Sequence, residues 1–498
     1  MIKRLIFSSL LFLGCSTEQK VENTIEKELF TEVAAENSGI HFSNNLLENG
    51  DLNIIEYLYY YNGGGVALGD INNDGLDDVY LTANQQPDKL YLNLGGLKFQ
   101  DISLSSAMSQ ESSWSTGVTM VDVNADGYLD IYVCKVGDYK GLKATNELYI
   151  NNGDNTFTEE AKKYGLDFSG FSTQASFFDY DQDGDMDLYL LNHSVHSTYS
   201  YGNSKLREKS DALAGDILFE NTSINGAIQF VDVTKKAGIY NSALGYGLAI
   251  ATSDVNNDGL MDIYVGNDFH ENDYLYINNG DKTFTESSAQ YFNSTSRFTM
   301  GVDVGDLNND AALDVLTLDM MPYKSDVFLK SGGEDSDKIN EIKKTFGFQQ
   351  QYARNHLQIN NGTHFSDVAL FTETHATDWS WSPLLLDYNN DGLQDIYITN
   401  GIYKRPNDLD YVNYISNVDF AKYAESQQDT LERKLIETMP MLGLPNVLFQ
   451  NNGDLDFSKT AINSKQSTSY SNGAAYSDLD LDGDLDIVIN NLNEKATV

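Results

Sequence analysis

Cysteine is almost missing from this chain. Two occur in 498 residues, so no disulfide framework holds the fold. Proline is scarce too, at 6 residues against 39 glycines, a balance that disfavours extended linkers and suits many tight turns. Basic side chains are few: 32 Lys and Arg stand against 74 Asp and Glu, for a formal charge of −42. A field of that sign repels phosphate backbones and argues against a nucleic-acid partner. No apolar run reaches the length of a membrane-spanning helix. What is present is a large apolar content, 41% hydrophobic, with 12% aromatics and 31 Tyr. That is too aromatic for a disordered acidic chain. It supplies an ample core, and 498 residues is long for one domain unless the domain is built of repeats.

Residues 1–15 read MIKRLIFSSLLFLGC. Lys3 and Arg4 precede a short apolar run, and Gly14 stands directly before Cys15. This resembles a bacterial lipoprotein signal in which Cys15 becomes the lipidated first residue, with Phe12 where Leu is usual. Residues 16–29 read as a polar tether, and 30–498 as the folded part. On this reading lipid alone anchors the protein at the outer membrane, on its periplasmic or its outer side. Cys134, in the apolar run IYVCKV, reads as a buried, inert thiol.

One pattern recurs seven times: D-x-[DN]-x-D-[GA]-x-x-D, followed by an apolar strand. Around it lie an apolar Gly-containing segment (GGGVALGD), a strand (DVYLTA), a third segment (ELYINNGD) and a short fourth (FTEEA). Four short strands per repeat with Asn-Gly turn signals, repeated seven times, predict an all-β, seven-bladed β-propeller. The Gly-rich strand should be innermost. Residues 30–33 (FTEV) copy the fourth-strand pattern ahead of the first motif and are expected to complete the last blade. The third strand of that blade is expected near Val498 and is missing or barely begun. That blade therefore reads as truncated, and the chain as the first part of a longer product or a shortened one.

Oxygen ligands at alternate positions of a tight loop suit a hard cation. Roughly six or more of them point to calcium, because magnesium demands a stricter octahedron and keeps more water. In the first copy the ligands would be the side chains of Asp70, Asn72, Asp74 and Asp78 with the carbonyl of Leu76, and Gly75 makes the turn. The corresponding sets are Asp122, Asn124, Asp126, Tyr128 and Asp130, then Asp179, Asp181, Asp183, Asp185 and Asp187. Asp254, Asn256, Asp258, Leu260 and Asp262 follow, then Asp306, Asn308, Asp310, Ala312 and Asp314. The last two are Asp387, Asn389, Asp391, Leu393 and Asp395, and Asp478, Asp480, Asp482, Asp484 and Asp486. The twelfth position is apolar (Leu81, Val133) and the flanks alternate as strands, which excludes EF-hands. Ala311 replaces Gly and makes the fifth copy the weakest. Up to seven calcium ions are expected. Their role would be structural, since the 26 Asp of the loops repel one another until a cation binds.

These loops and strands resemble the FG-GAP/VCBS repeats of integrin-α-like propellers, over about residues 30–498. Within that group the chain is similar to bacterial surface lipoproteins that often carry a C-terminal ASPIC/UnbV domain. The resemblance implies a calcium-binding propeller in adhesion or ligand binding. The chain departs from it in the Phe-Gly and Gly-Ala-Pro words, which are largely absent, and in having no ASPIC/UnbV segment.

Successive motifs are 52, 57, 75, 52, 81 and 91 residues apart. The excess falls between the second and third strands of three blades, at about 194–215, 320–355 and 403–445. Such loops emerge on the face opposite the acidic loops, where binding usually lives. The last contains DFAKYAESQQDTLERKLIETM, spaced as an amphipathic helix, either a structural cap or a partner site. His193, His196 and His270 follow the third and fourth motifs on that face, and Lys404 and Arg405 the sixth. Trp114, Trp379 and Trp381 precede inner strands and would ring the channel mouth. Such groups suit sugars or acidic sugars, and each has plain packing as its alternative. His41, His356, His364 and His375 belong to no motif. HExxH, GxSxG, a phosphate-binding Gly-rich loop and CxxC are all absent.

Three readings remain at this point. The first is a monomeric, non-enzymatic surface module that binds glycan or protein. The second is a polysaccharide lyase-type enzyme with His193, His196, His270 and Arg405 as catalytic candidates. The third is a scaffold part of a larger surface protein. Convergence of the four side chains in one pocket favours the enzyme, and their scatter favours the surface.

Overall fold

The computed structural model describes residues 29–195, 202–223, 228–419, 422, 425–462 and 467–498. Cys15, the leader and His196 lie outside them.

Six sheets have four antiparallel strands each, laid down in chain order from the inside outward. Blade one is Val66–Gly69, Asp78–Leu81, Lys89–Asn93 and Phe99–Asp101. Blade two is Trp114–Val121, Asp130–Val136, Glu147–Asn151 and Phe157–Glu159. Blade three is Ser172–Phe178, Asp187–Asn192, Ile217–Asn221 and Phe230–Asp232. Blade four is Gly247–Ser253, Asp262–Asn267, Tyr274–Asn278 and Phe284–Glu286. Blade five is Gly301–Gly305, Asp314–Leu318, His356–Asn360 and Phe365–Asp367. Blade six is Ser380–Leu386, Asp395–Asn400, Val447–Asn451 and Phe457–Thr460. The seventh repeat forms a two-stranded sheet, Ser471–Ser477 with Asp486–Asn491.

The first strands touch one another in turn, one to seven and back to one, so the sheets close into a ring. This is a β-propeller. The expectation of seven four-stranded blades is corrected to six. At the third-strand place of the seventh sheet only Thr497 pairs with Ile489, which is too little to make a strand. Residues 30–33 do stand at the fourth-strand place. The Val33 N–H donates to the Val498 carbonyl at 2.9 Å, as Ile102 donates to Leu90 in blade one. A one-turn helix, Ala35–Ser38, then ends on left-handed Gly39, as those of blades two and three end on Gly165 and Gly238.

The ring is tight where the first strands meet. A Cβ on Gly117 or Gly301 would collide with the backbone oxygen of Thr173 or Trp381. Second strands are covered on both faces, and Asp130–Val136 is buried throughout. The apolar core fills the spaces between neighbouring sheets, as where Tyr132, Cys134 and Leu148 meet Leu188 and Leu190. Burial pushes the Cys134 thiol well up, so it is inert. The three insertions lie where expected, between second and third strands of blades three, five and six. They add helices Asp337–Thr345, Leu409–Ser416 and Glu425–Thr438, the last burying Leu431, Leu435 and Ile436. Among the described residues no helix is long and apolar enough to cross a membrane.

Candidate functional site

The acidic loops connect first to second strands on one face. All seven turn alike, with the fourth residue left-handed: Asn73 has φ 60°, Asn309 57° and Leu481 60°. The first Asp accepts the backbone N–H groups of the fifth and sixth residues, Asp70 from Asp74 at 3.1 Å and from Gly75 at 2.7 Å. The fifth loop does the same, with Asp306 accepting from Asp310 at 3.0 Å and from Ala311 at 2.9 Å. Ala311 adopts the left-handed backbone (φ 66°) that Gly takes in its sister loops, so this copy keeps their geometry. An L-residue there costs about 1 kcal/mol.

The ninth-position Asp ties each loop to its blade. Asp78 accepts from Ile71 N–H at 3.1 Å and from Asn93 N–H at 2.7 Å. Burial, with Asp70 and Asp74 nearby, pushes Asp78 up to about 7, and burial, with Asp181 and Asp185 nearby, pushes Asp187 up to about 8. In loops three and seven, oxygens of Asp179, Asp181 and Asp187, and of Asp478, Asp480 and Asp486, converge within 4.8 Å of one another. Asp480 Oδ1 is buried there without a hydrogen bond. The other five loops carry Asn at position three. There the amide turns onto the fifth Asp instead, as Asn72 Nδ2 does to Asp74 Oδ2 at 3.0 Å. Partly buried carboxylates converging on a tight turn are compatible with a hard cation such as calcium. Asp185 and Asp484, at position seven, stand outside both clusters. In loop three a lysine is already present: Lys282 pairs with Asp181 and with Glu220.

Two sets of amides link the loops, and sequence reasoning missed both. The fourth-position side chain reaches the next loop's sixth carbonyl: Asn73 to Gly127 at 2.9 Å, Gln182 to Gly259 at 2.7 Å, Asn390 to Gly483 at 3.0 Å. Ala125 and Leu481 interrupt the series at loops two and seven. The Asn closing the third strand spans two blades in five of the six four-stranded sheets, as Asn151 Nδ2 bonds Ile71 O at 2.8 Å and Leu129 O at 3.0 Å. Its signal in the sequence is the repeated N-x-G, which also reads as a turn.

The opposite face is capped. The first strands of blades two to seven and residues 62–65 ahead of the first strand of blade one line a central cavity of 160 Å³, with Trp114 and Trp381 in its wall. Above it Leu52, Ile54, Tyr57, Tyr59, Tyr60 and Tyr61 are buried in one cluster with all three tryptophans and side chains from the insertions. This plug was also missed, although the run IIEYLYYY ahead of the first strand carries it.

His193 lies beneath the plug. Its Nε2 accepts from Tyr57 Oη at 2.8 Å, and its Nδ1–H donates to the Ser194 carbonyl at 3.0 Å. Burial pushes the imidazole down to about 4, so it is neutral at neutral pH. Arg405 is 3% exposed and bonds Asp378 at 2.6 Å. Lys404 pairs with Glu48 at 2.8 Å. His270 packs against Tyr246 and Phe348. Of the three described catalytic candidates, His193 alone lines the cavity. His356, without a motif, is a buried partner of Asp367 at 2.9 Å.

Repeated acidic loops on a ring of antiparallel sheets define a repeat β-propeller. The family model for the FG-GAP-like repeat matches residues 57–133, 137–190 and 254–317, so the chain carries FG-GAP-like repeats. Cartilage acidic protein 1 of Homo sapiens is 23% identical over 270 residues, covering 51% of this chain and 38% of that protein. Its Xenopus tropicalis counterpart is 23% identical over 205 residues, 41% of this chain and 28% of that one. The chain thus spans well under half the length of the curated relatives it matches. Among solved structures, an Agrocybe aegerita lectin recognising non-reducing terminal N-acetylglucosamine is 13% identical with TM-score 0.43, over 87% of this chain and 86% of that one. The exotype rhamnogalacturonan lyase YesX is 11% identical with TM-score 0.40, over 88% of this chain and 71% of that one.

Proposed function

We propose that the chain is a calcium-binding surface propeller, lipid-anchored at Cys15, whose insertion face binds a glycan or a protein without catalysing a reaction. The use made of the catalytic candidates carries this reading. A lyase needs a base and a cation within reach of its substrate. His193 is instead sealed under Tyr57 and Tyr59, and Arg405 is spent on buried Asp378. The insertion face meanwhile exposes apolar side chains that a ligand could cover, among them Phe328, Leu329, Phe346, Tyr414 and Met441. In each loop calcium would take oxygens of the first, third, fifth and ninth residues with the seventh carbonyl, and would hold the loop and so the blade.

A glycan and protein-ligand screen in the presence of calcium tests the reading, run beside an assay for unsaturated sugar products. Saturable binding that weakens in Phe328→Ala or Tyr414→Ala, with no product formed, is expected. Product formation abolished by His270→Ala would move the assignment to the lyase.

A further inference from the structure

Loops three and seven are twins. Both carry Asp at positions one, three, five, seven and nine, and in both the first, third and ninth carboxylates converge. They differ in what stands beside them. Loop three has Lys282 on Asp181. Among the described residues this is the only ion pair made by any of the seven loops, so loop seven has no cation beside it.

The chain delivers Lys282 by way of the next blade. The third and fourth strands of blade four are joined by a tight turn, closed by the Asn279 N–H on the Thr283 carbonyl at 2.9 Å. Asn278 Nδ2 pins that turn to loop three by donating to the Tyr180 carbonyl at 2.8 Å. Lys282, left-handed at φ 67°, is thereby held over the loop. Its ammonium bonds Asp181 and, at 2.7 Å, Glu220 on the third strand of blade three. The Asp181 side chain is fully buried, and neither of its oxygens accepts a further hydrogen bond. Both members of this arrangement are peculiar to their blades. Where blade three has Glu220, the other blades have Leu92, Ile150, Ile277, Ile359 and Gln450. At the place of Lys282, blades one, two and six have Leu97, Asn155 and Leu455.

Blade one sets its turn on loop seven in the same way. Asn93 Nδ2 donates to the Leu479 carbonyl at 2.8 Å, and the Leu94 N–H closes the turn on the Lys98 carbonyl at 2.7 Å. Leu97, left-handed at φ 54°, stands where Lys282 stands in blade four. The same five carboxylates thus have an apolar neighbour, and Asp480 Oδ1 is buried without a partner. An ammonium offsets carboxylate repulsion as a bound metal does, with one charge where calcium brings two. Being tethered, it is also present at a high effective concentration whatever the solution holds.

We propose that Lys282 is the resident cation of loop three. It closes that loop without a metal, and calcium enters only by displacing it. This rests on the reading of the acidic loops as calcium sites. Loop seven, with the same carboxylates and no lysine, then fills at lower calcium and loosens when calcium is withdrawn, while loop three keeps its shape.

The test exchanges the two residues in the full chain, as Lys282→Leu and Leu97→Lys. Each turn receives a side chain that its counterpart already carries. Hydrogen exchange over residues 179–187 and 478–486 is followed in calcium and in EGTA, with metal analysis of every sample. In the unmodified chain EGTA should speed exchange in loop seven by about tenfold or more and in loop three by about threefold or less. Lys282→Leu should make loop three as sensitive as loop seven, and should raise the calcium retained at limiting concentration. Leu97→Lys should remove most of the sensitivity of loop seven. Equal sensitivity of the two loops in the unmodified chain, or exchanges that change neither loop while calcium still binds, would overturn the role of Lys282 and leave the calcium reading standing. Absence of calcium from every sample would overturn both.

Discussion

The two faces of the propeller are stabilised in different ways. On the acidic face one nine-residue loop is used seven times, with the same turn and the same carboxylate-to-backbone bonds. On the other face the three insertions differ in length and in secondary structure, and a tyrosine-rich plug joins them through apolar burial. Repetition suits a ligand that is the same at every site, such as an ion. Irregularity suits a surface that must recognise something particular. The acidic face is held by repeated carboxylate-to-backbone bonds, and the capped face by packing.

The largest mutational effect should come from the plug. Tyr57→Ala removes a buried ring from between Tyr59, Trp114 and His193, and should cost about 3–5 kcal/mol in denaturant unfolding. The cost should be similar with calcium and with chelator. A cost that vanished in chelator would merge the two faces into one energetic unit.

Next is the acid dependence of the plug. His193 is held down to about 4 against an ordinary value near 6.5, by burial. The unfolded chain binds this proton first, so stability present above about pH 6.5 is lost as pH falls toward 4, by about 3 kcal/mol at most. His193→Gln can keep a bond to Tyr57 but does not titrate. Its stability should fall less steeply over that range, and identical acid limbs in the two proteins would contradict the assignment.

A smaller effect belongs to the ring of loops. Asn151→Ala breaks the bond to Ile71 of blade one and the bond to Leu129 within blade two, and should cost about 1–3 kcal/mol, leaving buried carbonyls unpaired. The smallest is Asn73→Ala, which loses one exposed loop-to-loop bond at Gly127 and should cost about 1 kcal/mol or less. If Asn73→Ala proved the costlier, the linkage between loops would run through the exposed turn and not through the buried amide.

The sequence made the acidic face readable because its information is local and periodic. Position, turn and strand recur together, so the loops, the four-strand pattern and the insertion points could all be placed. The plug could not be read from a repeat, because residues 44–61 occur once and their apolar partners are spread from Trp114 to Leu492. His193 looked chemical because it follows a motif on the open face. What covers it, Tyr57 and Tyr59, lies more than a hundred residues away. The closing Asn of the third strands was visible but misjudged, since its second partner is on the preceding blade. The seventh blade was overcounted for a related reason. Its motif is complete, but a motif fixes two strands, and the described residues form only those two.

The central claim is that the acidic loops hold calcium and that the fold depends on it. It is tested most directly by the melting temperature of the chain from residue 16 onward, in excess calcium and then in EGTA, with metal analysis of both samples. A drop of about 10 °C or more on chelation, reversed by calcium, is the predicted result. An unchanged melt in a chelated sample shown to be free of calcium would contradict it, and would leave the seven loops as turns that carboxylates merely shape.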